Sequence, residues 1–396
     1  MTSTRWLEKS QTVARTVLIV LFLGWLWLPT LDSIFRWDTT AQVDEQRPLA
    51  TFPRFSLEFS SLRTFIPQLE AYYNDHFGFR KRLIYWGQTW KRRWFSVRIQ
   101  NNVIIGRKGW LFYASTDPRT DAAFTAQELQ QWRVVIEGRR DWLSARGIGY
   151  LFVIVPSKQS IYPEYLPAWM QHAGATTKLD QFMAYMRSHS TVEVLDLRPT
   201  LLRAKDARQT FFRTDTHWNQ FGAFEACEKL IRALRGQAPG LEPLGLDAFE
   251  LKSTTLLSGN LAVMLAATGT MPEEDCPELK PHPPLPRLAV DTREKGLERI
   301  SSVENPRQSG RVLVFGDSFM EQCLPFLGYH FQRAVLYRVY DRGRHLQARA
   351  HTWIPEAIQH EKPGTVIDEI AEDFLRTEDP GLLRREDLLR NDTQAK

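Results

Sequence analysis

Apolar residues fall along this chain in distinct rhythms. Near the start, Thr16 to Leu31 reads TVLIVLFLGWLWLPTL, sixteen residues without a charge. With Val13 and Ala14 lengthening it, and Trp25 and Trp27 suited to the water–lipid boundary, this run predicts a helix close to the roughly 20 residues that span a bilayer. Arg5, Lys9 and Arg15 precede it against a single acid, Glu8. The positive-inside rule therefore puts the N-terminus in the cytoplasm and everything after Leu31 outside. A cleaved signal peptide is the alternative, but no small-x-small pattern follows in Pro29-Thr30-Leu31-Asp32.

From Asp32 to Pro53 the chain is polar and proline-punctuated and reads as a stalk. Leu62 to Phe95 predicts helix, dense in aromatic residues (Tyr72, Tyr73, Phe77, Phe79, Tyr85, Trp86, Trp90, Trp94, Phe95) and basic ones (Arg80, Lys81, Arg82, Lys91, Arg92, Arg93). Two readings fit: a surface for anionic lipid headgroups or a polyanionic glycan, or an amphipathic helix whose rings pack on the domain. Beyond it, apolar runs at 149–155, 191–197, 311–315, 334–340 and 365–370 alternate with helical stretches at 126–146, 177–188 and 221–235. Near-continuous β-branched runs between amphipathic helices predict a mainly parallel sheet covered on both faces, an α/β sandwich. Residues 238–308 are proline-rich and read as an irregular insertion, and the tail from Arg376 is polar. The expected organisation is a tail and anchor over 1–31, a stalk and aromatic–basic helix over 32–100, an α/β domain over 101–375 and a tail over 376–396.

Composition adds limits. Across 396 residues, 43% are hydrophobic and 24% charged, which fits a folded globular chain and excludes a disordered or polytopic one. The net charge of +5 is scattered rather than concentrated, against a nucleic-acid binder. Three cysteines, Cys227, Cys276 and Cys323, are too few and too odd for a disulfide framework, and no Cys/His grouping points to a metal.

Two segments carry chemistry. In Val312-Leu313-Val314-Phe315-Gly316-Asp317-Ser318 a buried strand runs straight into Gly-Asp-Ser and a following helix. That places the Ser318 hydroxyl at the carboxyl edge of the sheet, where α/β ligand sites lie, and aims N–H groups and the helix dipole at an oxyanion. The plainer reading is that Asp317 or Ser318 caps the helix. In Thr214-Asp215-Thr216-His217-Trp218, Asp215 and His217 stand two apart before a helix starting near Phe221. A serine needs an adjacent base, and the base needs a carboxylate to fix its tautomer, so Ser318, His217 and Asp215 form a candidate triad.

Gly316-Asp317-Ser318 resembles the GDS block of SGNH (GDSL-type) hydrolases. Further blocks, in order, resemble the periplasmic alginate O-acetyltransferase family: Glu45-Gln46-Arg47-Pro48-Leu49-Ala50, Tyr73-Asn74-Asp75-His76-Phe77-Gly78-Phe79-Arg80, Gly106-Arg107-Lys108-Gly109-Trp110-Leu111-Phe112-Tyr113, Val155-Pro156-Ser157-Lys158 and Thr214-Asp215-Thr216-His217-Trp218. The resemblance implies an SGNH-like three-layer α/β/α sandwich behind one membrane helix. It also implies Ser318 as nucleophile, His217 as base and Asp215 as orienting acid, in an order permuted from ordinary SGNH enzymes. Two departures stand out: Ser157 where relatives often read Asp, and Asn260 in Ser258-Gly259-Asn260-Leu261 where an acid is usual. Asn260 is either an amide donor to an oxyanion or a turn residue. Lys158 either orients an anionic sugar or is simply solvated.

The expected activity is O-acetylation of an exported polysaccharide, with no cofactor, by a single-pass inner-membrane protein whose catalytic domain faces the periplasm. Acetyl-CoA is confined to the cytoplasm, and the resemblance implies a membrane-bound O-acyltransferase as donor partner. A carbohydrate esterase with the same triad, or a silent scaffold of a polysaccharide-export complex, are the competing functions. Phe211, Phe212, Trp218 and Phe221, beside the Asp-x-His segment, would either stack on sugar and exclude water or form core. Topology is directly testable. Fusing a reporter enzyme active only outside the cytoplasm after Ser60 is expected to give activity; signal from a cytoplasm-only reporter at the same site would reverse the orientation.

Overall fold

The long apolar run does become one helix. In the computed structural model, which describes residues 2–35, 37, 50–53, 59–80, 82–83, 86–87, 90, 99–114, 123–171, 176–238, 240–265, 267, 269–295, 298–339, 353–377, 380–381 and 383, this helix spans Thr2–Phe35. Its apolar part, Val13–Phe35, has 23 residues at a mean hydropathy of 1.9, long enough to cross a membrane. The sixteen uncharged residues understate the span, because the helix continues past Asp32. That carboxylate is buried and accepts the Phe79 N–H at 2.8 Å, while the Gly78 N–H donates to the Pro29 carbonyl at 3.0 Å. Only glycine fits at 78, since a Cβ there would lie 2.1 Å from the Pro29 oxygen.

These elements belong to the first of two compact units, residues 1–101 with 260–271; the second comprises 102–259 with 272–396. In the first, the stretch expected to be one helix over 62–95 is helical over Phe59–His76, breaks at 77–79, and is helical again at the described residues 80, 82–83, 86–87 and 90. The break falls at Phe79, whose φ of +59° a right-handed helix does not accommodate. Tyr73, Trp86 and Trp90 are each more than half exposed, while Tyr72, Phe77 and Phe79 are partly buried. Lys81, Tyr85, Lys91, Arg92, Arg93, Trp94 and Phe95 lie outside the described residues, as do Glu45–Leu49, most of the stalk and most of the tail.

The strands, in chain order, are β1 (Ile99–Gln100), β2 (Val103–Ile105), β3 (Leu111–Tyr113), β4 (Gly149–Val155), β5 (Val194–Asp196), β6 (Phe249–Leu256), β7 (Glu273–Pro281), β8 (Val290–Lys295), β9 (Glu298–Glu304), β10 (Arg311–Phe315), β11 (Arg333–Val339) and β12 (Thr365–Ala371). In the second unit, seven strands form one sheet in the order β5-β4-β12-β10-β11-β9-β8. The first five are mutually parallel; β9 pairs antiparallel with β11, and β8 antiparallel with β9.

The side-chain period of two explains why the central strands read as unbroken apolar runs. Leu151, Val153 and Val155 of β4 join one core with Val312 and Val314 of β10 and with helices Gln220–Leu234 and Phe319–Leu327. Tyr150, Phe152 and Ile154, with Leu313 and Phe315, join the other, under helices Ala126–Ser144 and Lys178–His189. Both faces are covered, which gives the three-layer α/β/α sandwich. Capping boxes start the two covering helices: Thr125 with Glu128, and Thr177 with Asp180.

Two expectations need correction. The strand anticipated over 191–197 shrinks to β5, because Ser190 Oγ accepts the Val192 N–H at 3.2 Å and turns the chain first. Residues 238–308 are not an irregular insertion: β6 pairs with β7, and β8–β9 extend the main sheet. Strands such as Val290-Asp291-Thr292-Arg293-Glu294-Lys295 are largely exposed and carry little apolar period, so prolines dominate the reading of the region.

Candidate active site

The carboxyl ends of β4, β10 and β12 supply one edge of the sheet, and β10 delivers Ser318 there. A Cβ on Gly316 would lie 2.6 Å from Glu369 Oε2, so the turn out of β10 passes hard against β12. Ser318 is half-buried and sits at the N-terminus of the Phe319–Leu327 helix without capping it. Asp317 makes the local bond instead, its Oδ1 accepting the Phe319 N–H at 2.8 Å. Among the described residues no acceptor takes the Ser318 N–H, which leaves it available beside its own hydroxyl.

The second segment is a narrow loop closed by backbone pairing. Phe211 bridges Trp218, the Phe212 N–H donates to the His217 carbonyl at 3.2 Å, and the Asn219 N–H donates to the Thr210 carbonyl at 2.9 Å. Asn219 then caps the helix Gln220–Leu234, accepting the Gly222 N–H at 3.0 Å. Inside the loop, Asp215 Oδ1 accepts both the His217 backbone N–H at 3.0 Å and Nδ1 at 2.7 Å. His217 Nε2 lies 2.7 Å from Ser318 Oγ. With the Nδ1 proton donated to Asp215, Nε2 is free to accept the serine proton. The Trp218 indole N–H donates to the Phe319 carbonyl at 3.1 Å, and the Phe319 ring lies against His217 at 4.9 Å, tying loop to helix.

The structure therefore brings Ser318, His217 and Asp215 into one hydrogen-bonded relay. The other residues singled out in the sequence lie elsewhere or serve otherwise. Asn260 begins the short helix Asn260–Met264, which belongs to the first unit and not to the unit holding the relay. Lys158 is neither solvated nor open to a sugar: it is 3% exposed and all three of its ammonium bonds go to carbonyls of the loop. Burial draws its pKa down to about 7, with Asp215 and Glu273 pushing back. Ser157 donates its N–H and hydroxyl to Glu372 at 2.9 and 3.2 Å, a place where an aspartate would face a second carboxylate. Phe211, Trp218 and Phe221 are buried and belong to the core; Phe212 is half-buried.

Beneath Ser318 lie two carboxyls that sequence reasoning missed as a pair. Glu369 on β12 accepts the Asp317 N–H at 2.9 Å, and both side chains are almost wholly buried. Burial raises the pKa of each, and the Asp317 charge pushes Glu369 well above the usual carboxylate range. Asp317 Oδ2 and Glu369 Oε1 have no hydrogen-bond partner among the described residues. A proton on one of the two relieves an otherwise unpaired buried charge.

Comparison with known proteins gives the chain its family. The family model "SGNH hydrolase-like domain, acetyltransferase AlgX" matches residues 103–372, and the chain belongs to that family. It is 32% identical over 133 residues to the probable alginate O-acetylase AlgJ of Pseudomonas aeruginosa, covering 34% of this chain and 33% of that protein. It is 35% identical over 136 residues to the protein of the same description from Pseudomonas putida, covering 34% of each. These matches span about a third of the length of the curated relatives. The structure of PatB1 from Bacillus cereus superposes with a TM-score of 0.52 at 17% identity, over 70% of this chain and 99% of that one, a likeness of fold.

The buried carboxyl pair makes a signed prediction. A carboxyl whose pKa is raised in the folded state stabilises fully below its ordinary value, and that stability is lost as pH rises through the raised one. Glu369→Gln, which cannot ionise, is therefore expected to melt at a temperature that falls less than wild type as pH rises above about 5. Parallel melting curves for the two proteins across that range would contradict the assignment.

Proposed function

We propose that this chain transfers acetyl groups to hydroxyls of an exported polysaccharide through an acetyl-Ser318 intermediate. The observation that carries the reading is the relay Asp215–His217–Ser318, with 2.7 Å at both side-chain contacts, in a member of an acetyltransferase family. His217 Nε2 takes the Ser318 proton as Oγ attacks the donor's acetyl carbonyl. The tetrahedral oxyanion is met by the Ser318 N–H and the positive end of the Phe319–Leu327 helix. As the donor's C–O or C–S bond breaks, His217 returns the proton to the leaving group, and Ser318 is left acetylated. A sugar hydroxyl then gives its proton to His217 and attacks the acyl carbon; the bond between the acyl carbon and Ser318 Oγ breaks, and Oγ recovers the proton from His217. Asp215 holds the imidazole tautomer and steadies the imidazolium in both halves.

In this reading Val13–Phe35 anchors the protein in the inner membrane with the α/β unit in the periplasm. The acetyl donor is a membrane-bound O-acyltransferase, and the acceptor is alginate or a similar polymer. The names carried by the AlgJ relatives and the resemblance to exopolysaccharide acetylation proteins support this assignment.

Purified protein given an activated acetyl ester and an acceptor oligosaccharide is expected to make acetylated sugar faster than it releases acetate without acceptor. Ser318→Ala and His217→Ala should each lose about a thousand-fold or more, and the double variant should be little worse than either. Fast acetate release untouched by any acceptor would identify an esterase. Acceptor acetylation surviving in folded Ser318→Ala would exclude the serine mechanism.

A further inference from the structure

The loop that carries Asp215 and His217 is gripped by two buried charges that lie outside the relay. Lys158, just beyond β4, donates from Nζ to the carbonyls of Phe212 at 3.0 Å, Arg213 at 3.1 Å and Asp215 at 2.6 Å. Glu273, the first residue of β7, accepts the Arg213 N–H at 2.6 Å, the Thr214 N–H at 2.6 Å and the Thr214 hydroxyl at 2.5 Å. It is 1% exposed. One cation takes carbonyls and one anion takes donors, all on four consecutive residues. The Gly259 N–H adds a bond to Thr214 Oγ1 at 3.1 Å, and a Cβ on Gly259 would lie 2.4 Å from the Thr214 carbonyl.

This is an expensive way to hold a surface loop. Water or neutral side chains would satisfy the same peptide groups, whereas burying an ion costs several kcal/mol before its partners repay it. Charge-assisted bonds are shorter and more directional than neutral ones. Their return is rigidity at Asp215, whose carboxylate sets the angle of the imidazole. The rings of Trp110 and Phe112, 5.6 and 5.3 Å from Lys158 Nζ, wall the cation and limit its movement.

We propose that Lys158 and Glu273 are positioning residues that fix the Asp215–His217 loop so that Nε2 meets Ser318 Oγ. The proposal rests on the reading of Ser318, His217 and Asp215 as a catalytic unit. It assigns Lys158 to the loop backbone rather than to substrate. Misplacing a catalytic group by about 1 Å costs on the order of 100-fold in rate.

The test uses the full-length chain in detergent with an aryl acetate as acyl donor. Lys158→Met keeps length and apolar bulk while removing the ammonium, and should lower kcat about 100-fold with KM changed less than about twofold. Thr214→Val keeps side-chain volume but removes the hydroxyl shared by Glu273 and Gly259; a loss of about tenfold is expected, and it carries the test should Lys158→Met not fold. In both, the low-field proton resonance of the His217 Nδ1–H, which reports its bond to Asp215, should broaden or disappear while the melting transition persists. A variant that merely loosened the fold elsewhere would lose its melting transition and keep that resonance until it unfolded. Folded variants with wild-type kcat and an unchanged resonance overturn the proposal. Ser318→Ala is measured alongside. If it is inactive while Lys158→Met is fully active, positioning alone fails; if it is active, the catalytic reading fails and the proposal with it.

Discussion

A 2.7 Å hydrogen bond from Ser318 to His217 joins two segments 101 residues apart in sequence, and the architecture is arranged around making it. Neither side is free to wander. Ser318 is delivered by a strand inside a sheet covered on both faces, through a turn that Gly316 lets pass against Glu369. His217 is delivered by a loop pinned at its base by the Phe211–Trp218 bridge and at its exit by the Asn219 cap. The Trp218 indole bond to the Phe319 carbonyl then ties the two deliveries together directly.

The polarity around this contact follows from its position. At the carboxyl edge of a parallel sheet, strand-end N–H and C=O groups lose their ladder partners and must be satisfied by other means. Here buried ionisable side chains do it: Lys158 and Glu273 for the loop, Glu369 for the Asp317 N–H, and Glu372 for Ser157 and Ser160. Each costs desolvation, so the large apolar cores on both faces of the sheet supply the stability that lets such an edge persist. A rigid apolar base under a densely hydrogen-bonded edge is what a preorganised acyl-transfer site requires.

Much of this was legible in the sequence, for reasons tied to range. Strands β4, β10 and β11 announce themselves because each carries a run of three or more consecutive apolar residues, and Asp215 with His217 because two-residue spacing puts them in one turn. The family blocks supplied the link to Ser318 that spacing alone does not give. What stayed hidden depends on distant partners. Strand β8 is exposed and charged, and β9 mixes charged and hydroxyl residues with Ile300 and Val303, so neither carries a clear apolar rhythm. Lys158 reads as a solvated or sugar-facing lysine because its three carbonyl partners lie more than fifty residues away, and Glu273 looks like one acid among several beside Glu274 and Asp275. The Asp317–Glu369 pair is invisible for the same reason: only strand order brings β12 next to β10.

The account stands or falls on whether the acyl group passes through Ser318. Mass spectrometry of the intact chain and its peptides after brief exposure to an activated acetyl ester tests this directly. The account predicts one added acetyl group on the peptide containing Gly316-Asp317-Ser318, discharged when an acceptor oligosaccharide is supplied. Acetylated oligosaccharide appearing with no acetyl group ever detectable at Ser318, under conditions that trap such esters in a control serine enzyme, would contradict it.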